Sequence, residues 1–279
     1  MSEKSLLNKV IVVTGGSGGI GRAIVERLSE SGARVVSVYC NNCPLDNSRK
    51  NETFFRADLT SPGEWDRLIS CVKKTHDKID VLINCAGYLE PGSFISLGEN
   101  EIKKMIEINL TSVITGTYKT LKVFRGRNAG QIINIGSLGG IVPMPYSSIY
   151  CATKFALRGF TLSLAEELKG TGIVISLISA GSVITKMLDY EALDDHTAMA
   201  FVGKPVFPGK VADCVLRVIL KPCPEVIIPA SQSILSRLLS FSPSVFSGLY
   251  TVLHRIGNLR KKYYINRYCS SGLNGGRIK

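Results

Sequence analysis

Apolar residues along this chain follow two alternating patterns. Short, mainly apolar runs cover 9–14, 34–39, 53–57, 79–84, 131–136, 173–179 and 225–228, and each is a strand candidate. Between them, segments near 20–31, 63–75, 99–124, 149–169 and 209–220 place apolar residues at helical spacing. Strands that alternate with helices predict βαβ units, and so an α/β fold built on a doubly wound parallel sheet of about seven strands. The segment 186–206 has no clear period and ends in Lys204-Pro205, followed by Pro208-Gly209. It is expected to be a mobile loop or lid over a pocket, with a plain connecting loop as the alternative. After Pro243, the residues Val245, Phe246, Leu249, Tyr250, Val252, Leu253, Ile256 and Leu259 are expected on one helical face. The chain thus divides into a main domain, 1–230, and a C-terminal amphipathic helical extension, 231–279.

The first strand runs into Thr14-Gly15-Gly16-Ser17-Gly18-Gly19-Ile20-Gly21 and then into a helical pattern. A buried strand, a glycine turn and a helix start within one window form a cradle for nucleotide phosphates. Glycine lets the backbone turn tightly and lets a pyrophosphate come close, and the helix N-terminus offers unpaired N–H groups. The reading is Rossmann-like, with Gly15, Ser17, Gly19, Ile20 and Gly21 as cofactor-binding candidates. At the end of the second strand, where a carboxylate would hold the ribose 2′-OH of NAD, stands Tyr39, followed by Cys40, Asn41 and Asn42. No carboxylate is there to repel a 2′-phosphate, and no Arg to clamp one. The residues alone leave NADP(H) and NAD(H) open.

Tyr150 and Lys154 open the helical segment near 149–169 and share one face of it. A fixed ammonium beside a phenol lowers its pKa and makes it a usable proton donor and acceptor for a carbonyl or hydroxyl. Ser137, Asn84-Cys85-Ala86-Gly87 and Asp58-Leu59 each follow a different strand, so all reach the carboxyl edge of the sheet, where ligands bind in open parallel sheets.

These residues together resemble the short-chain dehydrogenase/reductase family, in its short single-domain branch. The pattern TGxxxGxG matches Thr14, Gly15, Gly19 and Gly21; NxAG matches Asn84, Ala86 and Gly87; YxxxK matches Tyr150 and Lys154. Ser137 stands thirteen residues before the Tyr, and Asn109 matches the family's catalytic Asn. The likeness covers about 8–228 and implies a set of roles. Tyr150 would exchange the proton at the reacting oxygen. Lys154 would lower the Tyr pKa and bind the nicotinamide ribose. Ser137 would hold the substrate oxygen, and Asn109 would hold a water that relays protons to Lys154. Asp58 and Leu59 would contact adenine, and Asn84, Ala86 and Gly87 the ribose side. Thr185 would bind the carboxamide, with the Val183 main chain nearby. Family members with Tyr at the place of Tyr39 often use NADP, so the resemblance implies NADP(H), with NAD(H) as the alternative. One departure is Ala180-Gly181 where the family has Pro-Gly, which predicts a slightly looser cofactor edge. The implied activity is interconversion of a carbonyl and a secondary alcohol, in a homo-oligomer (dimer or tetramer).

Composition adds less. With 279 residues, 45% hydrophobic and 20% charged, the chain is that of a packed globular protein, and no apolar run has the length of a membrane span. The start leads straight into the first strand, so no cleaved signal is expected and the location is expected to be cytoplasmic. Eight cysteines are scattered; Cys40 and Cys43 form a lone CxxC pair without zinc-ligand partners, and reduced thiols with no metal are expected. The net charge of +12 is uneven: after Glu225 there is no acid, while Arg237, Arg255, Arg260, Lys261, Lys262, Arg267, Arg277 and Lys279 follow. A basic, apolar tail suits either a membrane interface or packing on the body. Nucleic acid is not expected, as no recognition motif accompanies the bases. A tail at a membrane points to a lipophilic substrate: a steroid, a retinoid or a long-chain keto compound. Two rivals stand beside the oxidoreductase. One is a non-catalytic NAD(P)-binding sensor or scaffold at a membrane. The other is a sugar-nucleotide epimerase or dehydratase, for which a larger C-terminal substrate domain and a differently spaced glycine motif would be expected.

Overall fold

A computed structural model describes residues 6–41 and 51–269. Asn42, Cys43, Arg277 and Lys279 of the sequence reading lie outside the described residues. Seven strands form one sheet: β1 (Val10–Thr14), β2 (Arg34–Tyr39), β3 (Glu52–Arg56), β4 (Val81–Asn84), β5 (Gly130–Ser137), β6 (Ile173–Ala180) and β7 (Glu225–Ile228). Their order is β3-β2-β1-β4-β5-β6-β7 and every pairing is parallel. The strand order reverses between β1 and β4, which makes the carboxyl ends of those strands the switch-point crevice. The expected α/β architecture is the observed one.

Alternation along the strands sorts the core into two layers. Ile11, Val13, Ile83 and Ile133 face α1 (Gly19–Glu30) and a later helix, α7 (Pro208–Leu220), through Ile24, Leu28 and Val215. Val10, Val12, Leu82 and Ile132 face the other way, against Trp65 and Leu68 of α2 (Glu64–His76) and against Phe124.

The expected helix 99–124 is three pieces: α3 (Glu99–Ile106), a π-helical turn at Glu107–Thr111, and α4 (Ser112–Arg125). The extra residue in that turn carries Asn109, fully buried, into the space beside α5 (Ser148–Glu167). The segment 186–206 is not a plain loop. It forms α6 (Lys186–Leu193) and a 3₁₀ turn at Thr197–Phe201, pinned where Ile184 N–H donates to Val206 O at 2.9 Å. Its apolar residues, Leu188, Ala192 and Phe201, close on Tyr264 of the C-terminal extension, which is why no short-range period announced them.

That extension is α8 (Ser233–Phe241) and α9 (Pro243–Tyr264). The apolar residues expected on one face of α9 separate into two. Phe246 and Leu253 are buried in one cluster with Leu239 of α8, Ile141, Val142 and Ile227, and Tyr264 is buried in another with Leu188 and Phe201. Val245, Leu249, Val252, Ile256, Leu259 and Tyr263 form a second, exposed stripe. No described helix is long and apolar enough to cross a membrane.

Candidate active site

The glycine turn joins β1 to α1 as the sequence requires. Gly15 has φ +67°, and a Cβ there would lie 2.8 Å from Ala86 Cα. Thr14 Oγ1 accepts from the N–H groups of Cys85 (3.0 Å) and Ala86 (3.1 Å), so the ends of β1 and β4 are tied across the switch point. A Cβ on Gly19 would come within 2.6 Å of Thr185 Cγ2, which brings the far end of the proposed cofactor track against the first turn of α1. That turn has no side-chain cap and no acid, so its N–H groups face the loop as anion donors. A dinucleotide therefore fits this edge: side chains at Gly15 and Gly19 would fill the cradle, and the helix end supplies donors for a pyrophosphate. Ser17, Ile20 and Gly21 lie in the same loop and first turn. Thr185 Oγ1 donates to Val183 O at 3.1 Å, so the two residues sit together on the strand-to-α6 connection. At the departure from the family pattern, Gly181 N–H donates to Ile228 O at 2.7 Å.

At the other end of the track, Asp58 Oδ1 accepts from the N–H (3.0 Å) and hydroxyl (2.7 Å) of Thr60, which fixes the Asp58-Leu59 turn after β3. Tyr39 ends β2 in register with Arg56 of β3, and Arg56 Nε donates to Cys40 O at 3.3 Å. A guanidinium thus stands beside the end of β2. It was invisible along the β2 sequence because the neighbouring strand supplies it; the parallel register could have found it.

Two expected residues play different parts. Asn84 does not present its side chain to the edge. Its Nδ2 donates to Asn134 Oδ1 (2.9 Å) and Thr117 Oγ1 (3.4 Å), and Asn134 in turn donates to Thr161 (2.9 Å). This buried amide chain binds β4 to β5, α4 and α5, and leaves Ala86 and Gly87 as the residues of that motif on the loop. Asn109 is engaged too. Its Oδ1 accepts from Tyr88 N–H (2.8 Å), and its Nδ2 donates to Tyr88 O (2.7 Å) and Thr153 Oγ1 (3.3 Å). The side chain clasps the loop after β4 to α5.

Ser137, Tyr150 and Lys154 do converge. Ser137 ends β5 and caps the next turn, its Oγ accepting from Gly139 N–H at 3.0 Å. The Tyr150 ring and the Ser137 hydroxyl flank Gly139 together, close enough for that hydroxyl to act on the phenol. Lys154 Nζ, 5.6 Å from the Tyr150 ring centroid, donates to Ile135 O at 3.2 Å. Lys154 is 7% exposed, and burial pulls its ammonium down to about 8. The Tyr150 phenol was expected below its ordinary value; it lies above it. Burial pushes it up, the neighbouring Ser137 hydroxyl pulls it down, and the Glu191 carboxylate pushes it up again. Burial wins because Lys154 points at a carbonyl of β5 and not at the phenolic oxygen.

Ser137 and Tyr150 open onto a cavity of about 420 Å³. Its walls are mostly apolar: Leu138 and Val142 after β5, Leu188 of α6, Met199, and Leu239 and Leu253 of the C-terminal helices. The extension, read from sequence only as a tail, therefore builds one wall of the cavity. Lys204 and Arg260 stand among the polar lining residues, together with Gln232 and Glu191.

Comparison with known proteins agrees with this geometry. Residues 9–195 match the family described as short chain dehydrogenase. An uncharacterised oxidoreductase of Staphylococcus saprophyticus is 36% identical over 194 residues, which cover 66% of this chain and 77% of that one. Another from Staphylococcus aureus is 32% identical over 222 residues, covering 78% and 93%. A short-chain dehydrogenase from Streptomyces avermitilis superposes with a TM-score of 0.74 at 25% identity, over 87% of this chain and 95% of that one. The fold of a 4-hydroxyisoleucine dehydrogenase, solved in complex with NADH, is similar at a TM-score of 0.71 and 23% identity, over 79% and 96%. This chain belongs to the short-chain dehydrogenase family and is a nicotinamide-dependent oxidoreductase.

Proposed function

We propose that this protein interconverts a carbonyl and a secondary alcohol on a lipophilic substrate, with NADP(H) as the preferred cofactor. The observation that carries the reading is the placement of Tyr150 and Ser137 at the mouth of a largely apolar cavity, at the carboxyl edge of the sheet. The cofactor supplies or accepts the hydride. Gly15, Ser17, Gly19, Ile20 and Gly21 would hold its phosphates, with Ala86, Gly87, Val183 and Thr185 along its length. Asp58 and Leu59 would bound the adenine.

The chain's own residues handle the proton and the charge. Tyr150 donates its phenolic proton to the reacting oxygen, and a phenol held neutral by burial is ready for that direction. Ser137 orients the same oxygen and stabilises the charge that develops on it. Lys154 is poised to restore the proton, since an ammonium pulled down to about 8 releases one near neutrality. Asn109 is a positioning residue: it holds the Tyr88 main chain to Thr153 of α5, the helix that carries Tyr150.

Preference for NADP(H) over NAD(H) rests on charge. No acid stands at Tyr39, and Arg56 lies beside it to meet a 2′-phosphate. The lipophilic reading draws on the apolar walls and on the C-terminal extension. The exposed stripe of α9, with Arg255 and Lys262 on the same helix and Ile234, Arg237 and Leu238 on α8, has the composition of a surface that lies against anionic lipid. A peripheral, cytoplasm-facing protein follows from that reading, and a homo-oligomer, dimer or tetramer, is proposed beside it. A non-catalytic sensor would have no need of Tyr150, Ser137 and Lys154 together. Fluorescence titration with NADPH and NADH tests the cofactor half. Tighter binding of NADPH supports the reading, tighter binding of NADH overturns the Tyr39 and Arg56 argument, and binding of neither removes the enzyme reading as a whole.

A further inference from the structure

Glu191 is an acid where the cavity is otherwise mostly apolar. It sits on the last turn of α6, is 9% exposed, and lines the same cavity as Tyr150 and Ser137. Its main-chain oxygen accepts from the Thr197 hydroxyl, but no described residue makes a hydrogen bond or ion pair to its carboxylate. Lys261 of α9 is the cation that acts on it, and that ammonium is spent elsewhere. It donates to Asp194 O and, at 3.3 Å, to Thr197 Oγ1. Glu191 and Tyr150 line one cavity, and the Glu191 charge acts on the phenol across it. The fold does not need this arrangement. Gln or Leu at this position would keep α6, and a desolvated carboxylate without a partner is costly.

We propose that Glu191 selects the substrate: it accepts a hydrogen bond from a donor, a hydroxyl or an ammonium, carried close to the carbon that Tyr150 serves. The substrate class is then a lipophilic hydroxy- or amino-ketone and its reduced diol or amino alcohol. An unsubstituted ketone leaves the carboxylate buried and unpaired, and an anionic one is repelled by it. The inference rests on the carbonyl–alcohol reading of the cavity and sharpens it to one substrate class. A hydrogen bond to a charged group accounts for roughly ten- to a hundredfold in affinity.

The test is calorimetric binding of octane-1,2-diol, 1-aminooctan-2-ol and octan-2-ol to the full chain with NADP⁺ present, for the wild type, Glu191→Ala and Glu191→Gln. The same proteins are assayed for NADPH-dependent reduction of the matching hydroxy-, amino- and plain ketones. The expected result is about tenfold or greater preference for the diol or the amino alcohol over octan-2-ol, erased in Glu191→Ala. In Glu191→Gln an amino alcohol loses its preference and a diol keeps most of it, which identifies the donor. Both variants keep the main-chain contact to Thr197, and their thermal transitions report folding. Equal binding of all three ligands by the wild type overturns the proposal, as does a preference that survives in Glu191→Ala. Preferential binding with no reduction of any ketone overturns the oxidoreductase chemistry proposed for the cavity and leaves the Glu191 assignment standing.

Discussion

Replacing glycine by alanine at two places in α9 has opposite expected effects, and the difference tests whether that helix is docked on the body. At Gly257 an added Cβ would lie 2.1 Å from Ala198 O and 2.8 Å from Ala198 C. Both are main-chain atoms and cannot swing aside, so α9 must lift from the Thr197–Phe201 turn. Overpacking of this kind costs about 1–3 kcal/mol, and the gain in helix propensity offsets only up to about 1 kcal/mol of it. With the full offset the net expectation for Gly257→Ala is a loss of up to about 2 kcal/mol. The lifted helix carries Leu253 and Arg260 of the cavity wall, so KM for the substrate should rise as well. At Gly248 an added Cβ meets nothing within 4 Å. There the propensity term acts alone, and Gly248→Ala should stabilise by roughly 0.5–1 kcal/mol. Urea unfolding in buffer without detergent or lipid reads both. A common sign for the two variants would refute the docked helix, because a free or lipid-lying α9 gains from alanine at either position.

Other expectations follow from the charges in the site. Arg56→Gln should weaken NADPH binding by about tenfold or more, the worth of one charge-assisted contact, and leave NADH within about twofold; equal losses for both cofactors would show that Arg56 serves the fold and not the 2′-phosphate. Glu191 is raised by burial from 4.5 to about 7, with Lys261 pulling it partly back. Between those values the native chain holds a proton that the unfolded chain has released, so stability should fall as pH rises from 4.5 through 7, by up to about 3 kcal/mol. Urea midpoints at pH 5 and pH 8 measure the slope, and Glu191→Gln should flatten it; an unchanged slope would mean that other groups cause it. Lys154 is lowered from 10.5 to about 8, so it opposes folding most below 8, and Lys154→Met should stabilise the chain at pH 7 while abolishing turnover. A destabilised Lys154→Met chain would show that the Ile135 contact outweighs burial of the charge.

Most of the sheet was legible because its signal is local. Val10–Thr14, Arg34–Tyr39 and Ile173–Ala180 are mainly apolar runs, and a run buried on both faces needs no partner to be recognised. The glycine turn was legible for the same reason. What the sequence concealed depends on contacts between distant segments. Arg56 matters beside Tyr39 only through strand register. The π-helical turn at Asn109 looks like uninterrupted helix in a periodicity, since one extra residue shifts the phase too little. Residues 186–201 are polar and aperiodic because α6 buries only one short face, and it does so against Tyr264, far along the chain. Two apolar stripes on α9 merge into one broad face on paper, and only the docked body separates Phe246 and Leu253 from Val245 and Val252. The Tyr150 phenol was misjudged because spacing placed Lys154 on its face of the helix but could not say where the ammonium pointed.

The central claim is that Tyr150 delivers the proton during hydride transfer in this cavity. It is tested most directly by comparing the wild type with Tyr150→Phe for NADPH-dependent ketone reduction, with NADPH titrated by fluorescence into both. Phe keeps the ring and removes the proton donor. A fall in kcat of about 10²–10⁴ at unchanged NADPH affinity is the expected result. A variant that binds NADPH and still turns over at a tenth or more of the wild-type rate would contradict the account.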